Sequence, residues 1–277
     1  MFLSPPEIAD FTITIGVRKA NISVINQFIL GILAGAFIAF GAQASNIATH
    51  TIADISTAKF IGGLIFPAGL MLVLMAGAEL FTGNSLMIMA LAEKQISQLQ
   101  LLRSWLVVYL GNLTGSILVA FLISWSGQLG YTGGLLGGVT LKAAATKTSL
   151  TFTQAFVLGV LCNWLVCLAV WASFGARDGI SKAVCVFFPI WLFVASGFEH
   201  SIANMYYIPA GILAKCSASY VTKALELGVS QSAIDSLNWC SMFTKNLLPV
   251  TLGNILGGAG FVGCVYWFVY RRGSKKS

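Results

Sequence analysis

Apolar residues come in runs of roughly twenty or more, enough for a helix to cross about 30 Å of hydrocarbon. The runs lie around residues 24 to 45, 60 to 91, 105 to 126, 150 to 174, 183 to 213 and 246 to 270. The pattern predicts six membrane-spanning helices and an all-α integral membrane fold. The second and fifth runs exceed one crossing, and polar residues interrupt each near its middle: Glu79, Thr82, Asn84 and Ser85 in one, Glu199, His200, Ser201 and Asn204 in the other. Unpaired backbone survives at membrane depth only inside protein or along a wet cavity, so both breaks are expected to face inward. Residues 127 to 149 are glycine-rich and join two halves, and 215 to 244 read as a polar outer loop.

The polar-apolar pattern repeats. FILGIL (28 to 33) in the first span is matched by FVLGVL (156 to 161) in the fourth, and GAELFTGN (77 to 84) in the second by GFEHSIAN (197 to 204) in the fifth. LGNLTG (110 to 115) in the third is matched by LGNILG (252 to 257) in the sixth. Three matches in one order identify a duplication, repeat A about 22 to 127 and repeat B about 150 to 271, within one transmembrane domain of residues 1 to 277. Each half crosses an odd number of times, so the second enters from the opposite face. The result is a 3+3 inverted repeat, which places a substrate path at the repeat interface near the midplane.

Composition agrees. Only 9% of the 277 residues are charged and 57% are hydrophobic, with mean hydropathy +0.85, against about 25% charged in a soluble domain. The net charge of +7 is scattered over span ends and not gathered on one face, which argues against a nucleic-acid partner. With both termini cytoplasmic, the inner side holds Arg18, Lys19, Lys94, Arg103, Arg177, Lys182, Arg271, Arg272, Lys275 and Lys276; the outer side holds Lys59, Lys142, Lys147, Lys215, Lys223 and Lys245. Every arginine then lies inside, as the positive-inside rule asks. The first residues lack a signal-peptide pattern and read as a short amphipathic cytoplasmic segment. The six cysteines show no CxxC spacing, so no metal or other cofactor is expected; whether Cys216 and Cys240 of the outer loop pair is left open.

A helix that resumes after a break presents free N–H groups and partial positive charge, which favour an anion. Thr82, Asn84, Ser85, Ser201 and Asn204 are residue types that cap such starts. Glu79 and Glu199 would repel an anion if free, and a carboxylate at the bilayer centre costs about 2.5 to 3.5 kcal/mol. Each is therefore expected to be protonated or held by hydrogen bonds, and their equivalent places point to bracing of the breaks. His200 is different, because its counterpart is Leu80 and the repeat does not require it. Unperturbed histidine titrates near about 6.5, so it is either a proton donor or switchable cation, or a neutral ring satisfied by backbone. Lys147 is either a charge that draws anions to the pore mouth or an interfacial lysine that snorkels.

AGAELFTGN, LCNWLVCLAVW (161 to 171), SGFEHSIANM followed by YYIPAGI, and PVTLGNILGG (249 to 258) resemble the formate/nitrite transporter family along nearly the whole chain. The resemblance implies an aquaporin-like six-helix protomer, with its own pore, in a homopentamer of a prokaryotic cytoplasmic membrane. It makes Leu80, Phe81 and Thr82 a mobile loop, with Leu80 and Val166 narrowing the cytoplasmic side and Phe66, Leu70 and Phe193 forming the outer constriction. Between them it places His200 with Thr82, Asn163, Glu199 and Asn254, and Lys147 in a vestibule. Glu79, Asn84 and Asn204 brace the breaks. ANMYYIPAGI looks like the formate branch, whereas ELFTGN and CNWLVCLAVW are shared with nitrite and hydrosulfide members.

The expected function is a channel or transporter for small monovalent weak-acid anions, formate first, with nitrite or hydrosulfide next, its partners being the anion, protons, membrane lipid and other copies of the chain. The alternative, a neutral-solute channel of the aquaporin type, would carry asparagine-proline-alanine at each break, and neither break has it. A membrane enzyme is disfavoured: there is one intramembrane histidine where bis-histidine haem needs two, no His-Glu-x-x-His helix, and no nucleotide-phosphate loop.

Overall fold

Free N–H groups at the starts of the spans are met by side chains that the sequence supplies at each boundary. Ser23, Asp54, Ser97, Thr151 and Asp178 accept from the backbone N–H three residues on, and Ser97 and Thr151 form reciprocal boxes with Gln100 and Gln154. Asp54 and Asp178 open the two broken spans from outside the membrane-spanning segments. The backbone bonds from Thr57 and Ser181 hold their carboxyls below the usual carboxylate range.

The computed structural model describes residues 2–272, and Lys275 and Lys276 lie outside the described residues. An N-terminal helix α1 (Pro5–Ala20) precedes α2 (Val24–Thr49) and α3 (Ile55–Ala76), whose path resumes after the first break as α4 (Gly83–Ala92). α5 (Gln98–Trp125) ends the first half; α6 (Leu135–Thr148) leads into α7 (Phe152–Gly175). α8 (Gly179–Ser196) resumes after the second break as α9 (Ser201–Ala214), followed by the short α10 (Ala218–Glu226) and α11 (Gln231–Ser236) and the last span α12 (Trp239–Tyr270). α2, α3, α5, α7, α8 and α12 are the six spans, two of them broken, and they form the 3+3 inverted repeat.

Two stretches differ from expectation. The glycine-rich join is largely the helix α6, buried against α9 and tied to α2 by Asn46 Nδ2 donating to Thr140 Oγ1 at 2.8 Å. The polar outer loop is mostly helical too, as α10, α11 and the first turns of α12. α5 and α12 also begin about seven residues before their apolar runs, because Gln98, Gln100, Ser241, Thr244 and Lys245 lower hydropathy without interrupting backbone hydrogen bonds. Cys216 and Cys240 are free and exposed.

The halves are packed by the same device. α5 crosses α2 at Gly111 and Gly115, and α12 crosses α7 at Gly253 and Gly257; a Cβ on Gly111 would stand 2.6 Å from the Phe28 carbonyl, and one on Gly257 would collide with the Val160 carbonyl. Small residues four apart let backbones approach to full dispersion contact, which matters in lipid because no hydrophobic effect drives helices together. One face of the molecule gathers α1, the end of α7 and the end of α12: Leu3 N–H donates to Gly175 O at 3.0 Å, Arg103 Nη2 to Ala20 O at 2.6 Å, and Arg271 pairs with Asp10. The ends of α2 and α9 meet α6 on the opposite face.

Candidate functional site

Each broken span stops the same way. Gly77 and Gly197 take left-handed conformations (φ 83° and 73°), which glycine adopts without a Cβ clash, and so end α3 and α8. The next segment crosses to the neighbouring span, where Glu79 N–H donates to Leu30 O at 3.2 Å and Glu199 N–H to Leu158 O at 3.3 Å. The freed backbone is then met by one asparagine from each last span. Asn112 on α5 accepts from Phe81 N–H (2.9 Å) and donates to Gly31 O (2.8 Å) and Glu79 O (2.9 Å). Asn254 on α12 accepts from Ser201 N–H (2.9 Å) and donates to Gly159 O (2.8 Å) and Glu199 O (3.0 Å). Both asparagines are fully buried, so these bonds replace water that the interior cannot supply.

The glutamates are held by cations. Lys19 Nζ, at the end of α1, reaches Glu79 Oε1 at 2.8 Å and Oε2 at 2.9 Å, and Asn84 Oδ1 at 2.9 Å. Lys147 Nζ, at the end of α6, reaches Glu199 Oε1 at 2.8 Å and lies 5.3 Å from the centroid of the Tyr207 ring. Asn84 and Asn204 donate to the outer carboxylate oxygens at 2.9 Å and 2.6 Å. Each glutamate is thus held by a lysine and an asparagine at its own break, Glu79 with Asn84 and Glu199 with Asn204. Lys147 thus stands directly beside a carboxylate.

The halves part at the next residue. Where repeat A has Leu80, repeat B has His200, and His200 itself caps α9: its Nδ1 accepts from Ala203 N–H at 3.1 Å. None of Thr82, Asn84 and Ser85 makes a side-chain cap at the start of α4. With Nδ1 occupied as an acceptor, the neutral ring carries its proton on Nε2, which faces Thr82 Oγ1 at 2.9 Å. Thr82 thereby accepts from the ring, and its own hydroxyl proton has no acceptor among the described residues. Asn163 does not reach the imidazole; its Nδ2 donates to Asn254 O (2.6 Å), Ser85 Oγ and Thr82 O (both 3.2 Å), pinning the Thr82 loop against α7 and α12.

Apolar side chains flank this pair. Phe66 and Phe193 meet edge to face with centroids 5.6 Å apart, and the Phe193 ring lies 5.9 Å from that of His200. Leu80 and Val166 are buried in the same apolar cluster as Phe66, Leu70 and Phe193. Phe81 turns instead toward α5, 5.0 Å from Tyr109 and 6.1 Å from Trp105. A cavity of about 510 Å³ opens from the face bearing α1 and is bordered by Leu70, Leu80, Arg18, Lys19, Glu79 and Lys182. Leu70 thus borders the cavity that holds Leu80, one turn deeper than Phe66.

The formate/nitrite transporter profile matches residues 6–268. The formate channel FocA of Escherichia coli strain K12 is 40% identical over 272 residues, 98% of this chain and 95% of its own. A probable formate transporter of Methanothermobacter thermautotrophicus is 38% identical, covering 97% of both chains. The chain belongs to the formate/nitrite transporter family. A solved structure described as a pentameric formate channel with formate bound is 38% identical, with a TM-score of 0.79 over 89% of this chain and 97% of that one. The family is one of channels and transporters, so the site is one of passage and not of catalysis.

For this family member, sequence reasoning overlooked three residues of the scaffold. Lys19 was counted only as a cytoplasmic charge, although it lies twelve residues before Gly31 as Lys147 lies twelve before Gly159. Asn112 stands in LGNLTG where Asn254 stands in LGNILG, so the repeat could have named it. Asn246, which accepts from Asn204 at 2.7 Å and donates to Lys147 O at 2.9 Å, has no counterpart to betray it, since repeat A has Ser104 there.

Proposed function

We propose that the chain is a pore for small monovalent anions of weak acids, with formate as the principal substrate and nitrite and hydrosulfide as close options. One observation carries the reading: at the break where repeat symmetry would put leucine, the protein has His200, hydrogen-bonded to Thr82 and set among buried apolar side chains. Relatives described as formate channels at 40% identity support the choice of formate. The same relatives, and the solved pentamer, support a homopentamer in a prokaryotic inner membrane. The described arginines all lie on the face bearing α1, which supports a cytoplasmic assignment of that face.

A bare anion leaving water for this centre faces a Born cost of many kcal/mol unless a charge or proton meets it. The Thr82 hydroxyl proton is the free donor that holds an anion, and the His200 Nε2–H, which Thr82 Oγ1 already accepts, is a second donor only when shared with the anion. Passing it as an ion pair, or as the neutral acid, needs a second proton on the ring. That proton goes to Nδ1, so Ala203 N–H must give up its acceptor while the ring is charged, at about 1 kcal/mol for the lost cap. The constrictions on either side, Leu80 and Val166 toward the cytoplasm and Phe66 and Phe193 outside, exclude hydrated ions. Proteoliposomes given formate, nitrite, hydrosulfide and chloride gradients test the function: weak-acid anions should move and chloride should not, and passage of glycerol or water with no weak-acid anion would refute it.

A further inference from the structure

Of the lysines around the two mouths, Lys19 and Lys147 are each balanced by a glutamate, and a cation 2.8 Å from a carboxylate projects only a dipole field. Lys59 is not balanced. It stands on the second turn of α3, is exposed, and forms no hydrogen bond or ion pair with any described residue. Its Nζ hangs over the second break, where a Cβ on Gly197 would lie 2.8 Å from it. Gly197 is three residues from His200, and Lys147 and Glu199 are within electrostatic reach of the Lys59 ammonium. Lys59, Lys147 and Glu199 together leave one uncompensated positive charge at this mouth. At the other mouth Arg18 and Lys182 border the cavity beside the Lys19–Glu79 pair, again without partners among the described residues.

We propose that Lys59 is the capture residue of the outer mouth, holding the incoming anion over Gly197 before it meets His200, and that Lys182 with Arg18 does the same from the cytoplasmic side. This rests on the proposed channel function. A lone charge raises the local concentration of counter-ions over a screening distance of about 8 Å at physiological ionic strength, whereas a neutral pair does not. Glycine at position 197 is needed for the left-handed turn, and it also leaves the space that Nζ occupies. The loop lysines are thereby structural cations, and the recruiting charge lies one shell outward.

Formate flux into right-side-out and into inverted membrane vesicles, at low and high ionic strength, separates the possibilities. Lys59→Gln should raise the half-saturating formate concentration from the outer side about tenfold at low ionic strength, the lower end of what local charge does to encounter rates. Its maximal rate should stay at the wild-type value, and the salt dependence from that side should flatten. Lys59→Arg should restore both, flux from the inner side should be unchanged, and Lys182→Gln should show the mirror pattern. If Lys59→Gln assembles poorly, Lys59→Met keeps the apolar stem and reads the same quantities. Unchanged half-saturation and salt dependence, or a lowered maximal rate that Lys59→Arg does not restore, would overturn the proposal alone. Wild-type vesicles that move no weak-acid anion would overturn it together with the channel function.

Discussion

The breaks between α3 and α4 and between α8 and α9 are built on one scaffold. Each has a left-handed glycine, a glutamate held by a lysine twelve residues ahead of a matching glycine, an asparagine five residues after that glutamate, and a second asparagine from the last span of its half. Between that glutamate and the first asparagine they differ at all four positions: Leu80, Phe81, Thr82 and Gly83 against His200, Ser201, Ile202 and Ala203. Phe81 packs onto α5 aromatics, while its counterpart Ser201 is a buried hydroxyl without a partner among the described residues. Symmetry therefore supplies the frame, and the chemistry sits where symmetry fails, with Thr82 from one break facing His200 from the other.

The comparison breaks most severely if a scaffold asparagine is lost. Asn112→Ala and Asn254→Ala each strand three buried backbone groups at about 1 to 3 kcal/mol per unsatisfied group. Both variants should lose several kcal/mol and show equal drops in thermal unfolding in detergent; unequal drops would mean the two frames are not equivalent. Removing a lysine comes next. Lys19→Met should cost about 3 kcal/mol by leaving Glu79 unpaired, and Lys147→Met less, since Lys147 has one carboxylate oxygen where Lys19 has three acceptors. Double variants with Glu79→Gln or Glu199→Gln should recover much of each loss, which a double-mutant cycle reads directly.

The difference at the breaks is sharpened by His200→Asn. Asparagine is a strong N-cap, so α9 keeps its Ala203 bond and the fold survives. Transport should lose its pH dependence, because asparagine carries no titrating proton, and chloride should leak relatively more. Wild-type pH dependence in the variant would leave His200 as a cap and nothing else. Thr82→Val removes one hydroxyl at constant shape, so flux should fall several-fold at a cost of about 0.5 to 1.5 kcal/mol; unchanged flux would remove Thr82 from the substrate path. The smallest effect concerns the caps that start the broken spans. Asp54 and Asp178 have carboxyls held below the usual range, so their contribution is fully present above that range and is lost as pH falls below it through the lowered values. Hydrogen exchange in the first turns of α3 and α8 should quicken together on acidification, and Asp→Asn at either site should abolish that response locally.

Period and hydropathy by themselves determined the six spans, the two breaks, the inverted duplication and the singular place of His200, because a chain in lipid must satisfy its backbone locally and so writes its spans into composition. The same logic named Glu79, Asn84, Glu199 and Asn204, residues too polar for hydrocarbon unless something holds them. What holds them was decided only by the tertiary structure. Lys19 and Glu79 are sixty residues apart in the chain and Lys147 and Glu199 fifty-two, and each pair forms only where a helix end meets a break. The tautomer of His200 was also invisible in the sequence, since it follows from a backbone N–H aimed at Nδ1 and a hydroxyl brought to Nε2 from the other half. A side chain's residue type is local, but the field and the hydrogen-bond partners that decide its charge are assembled by the fold.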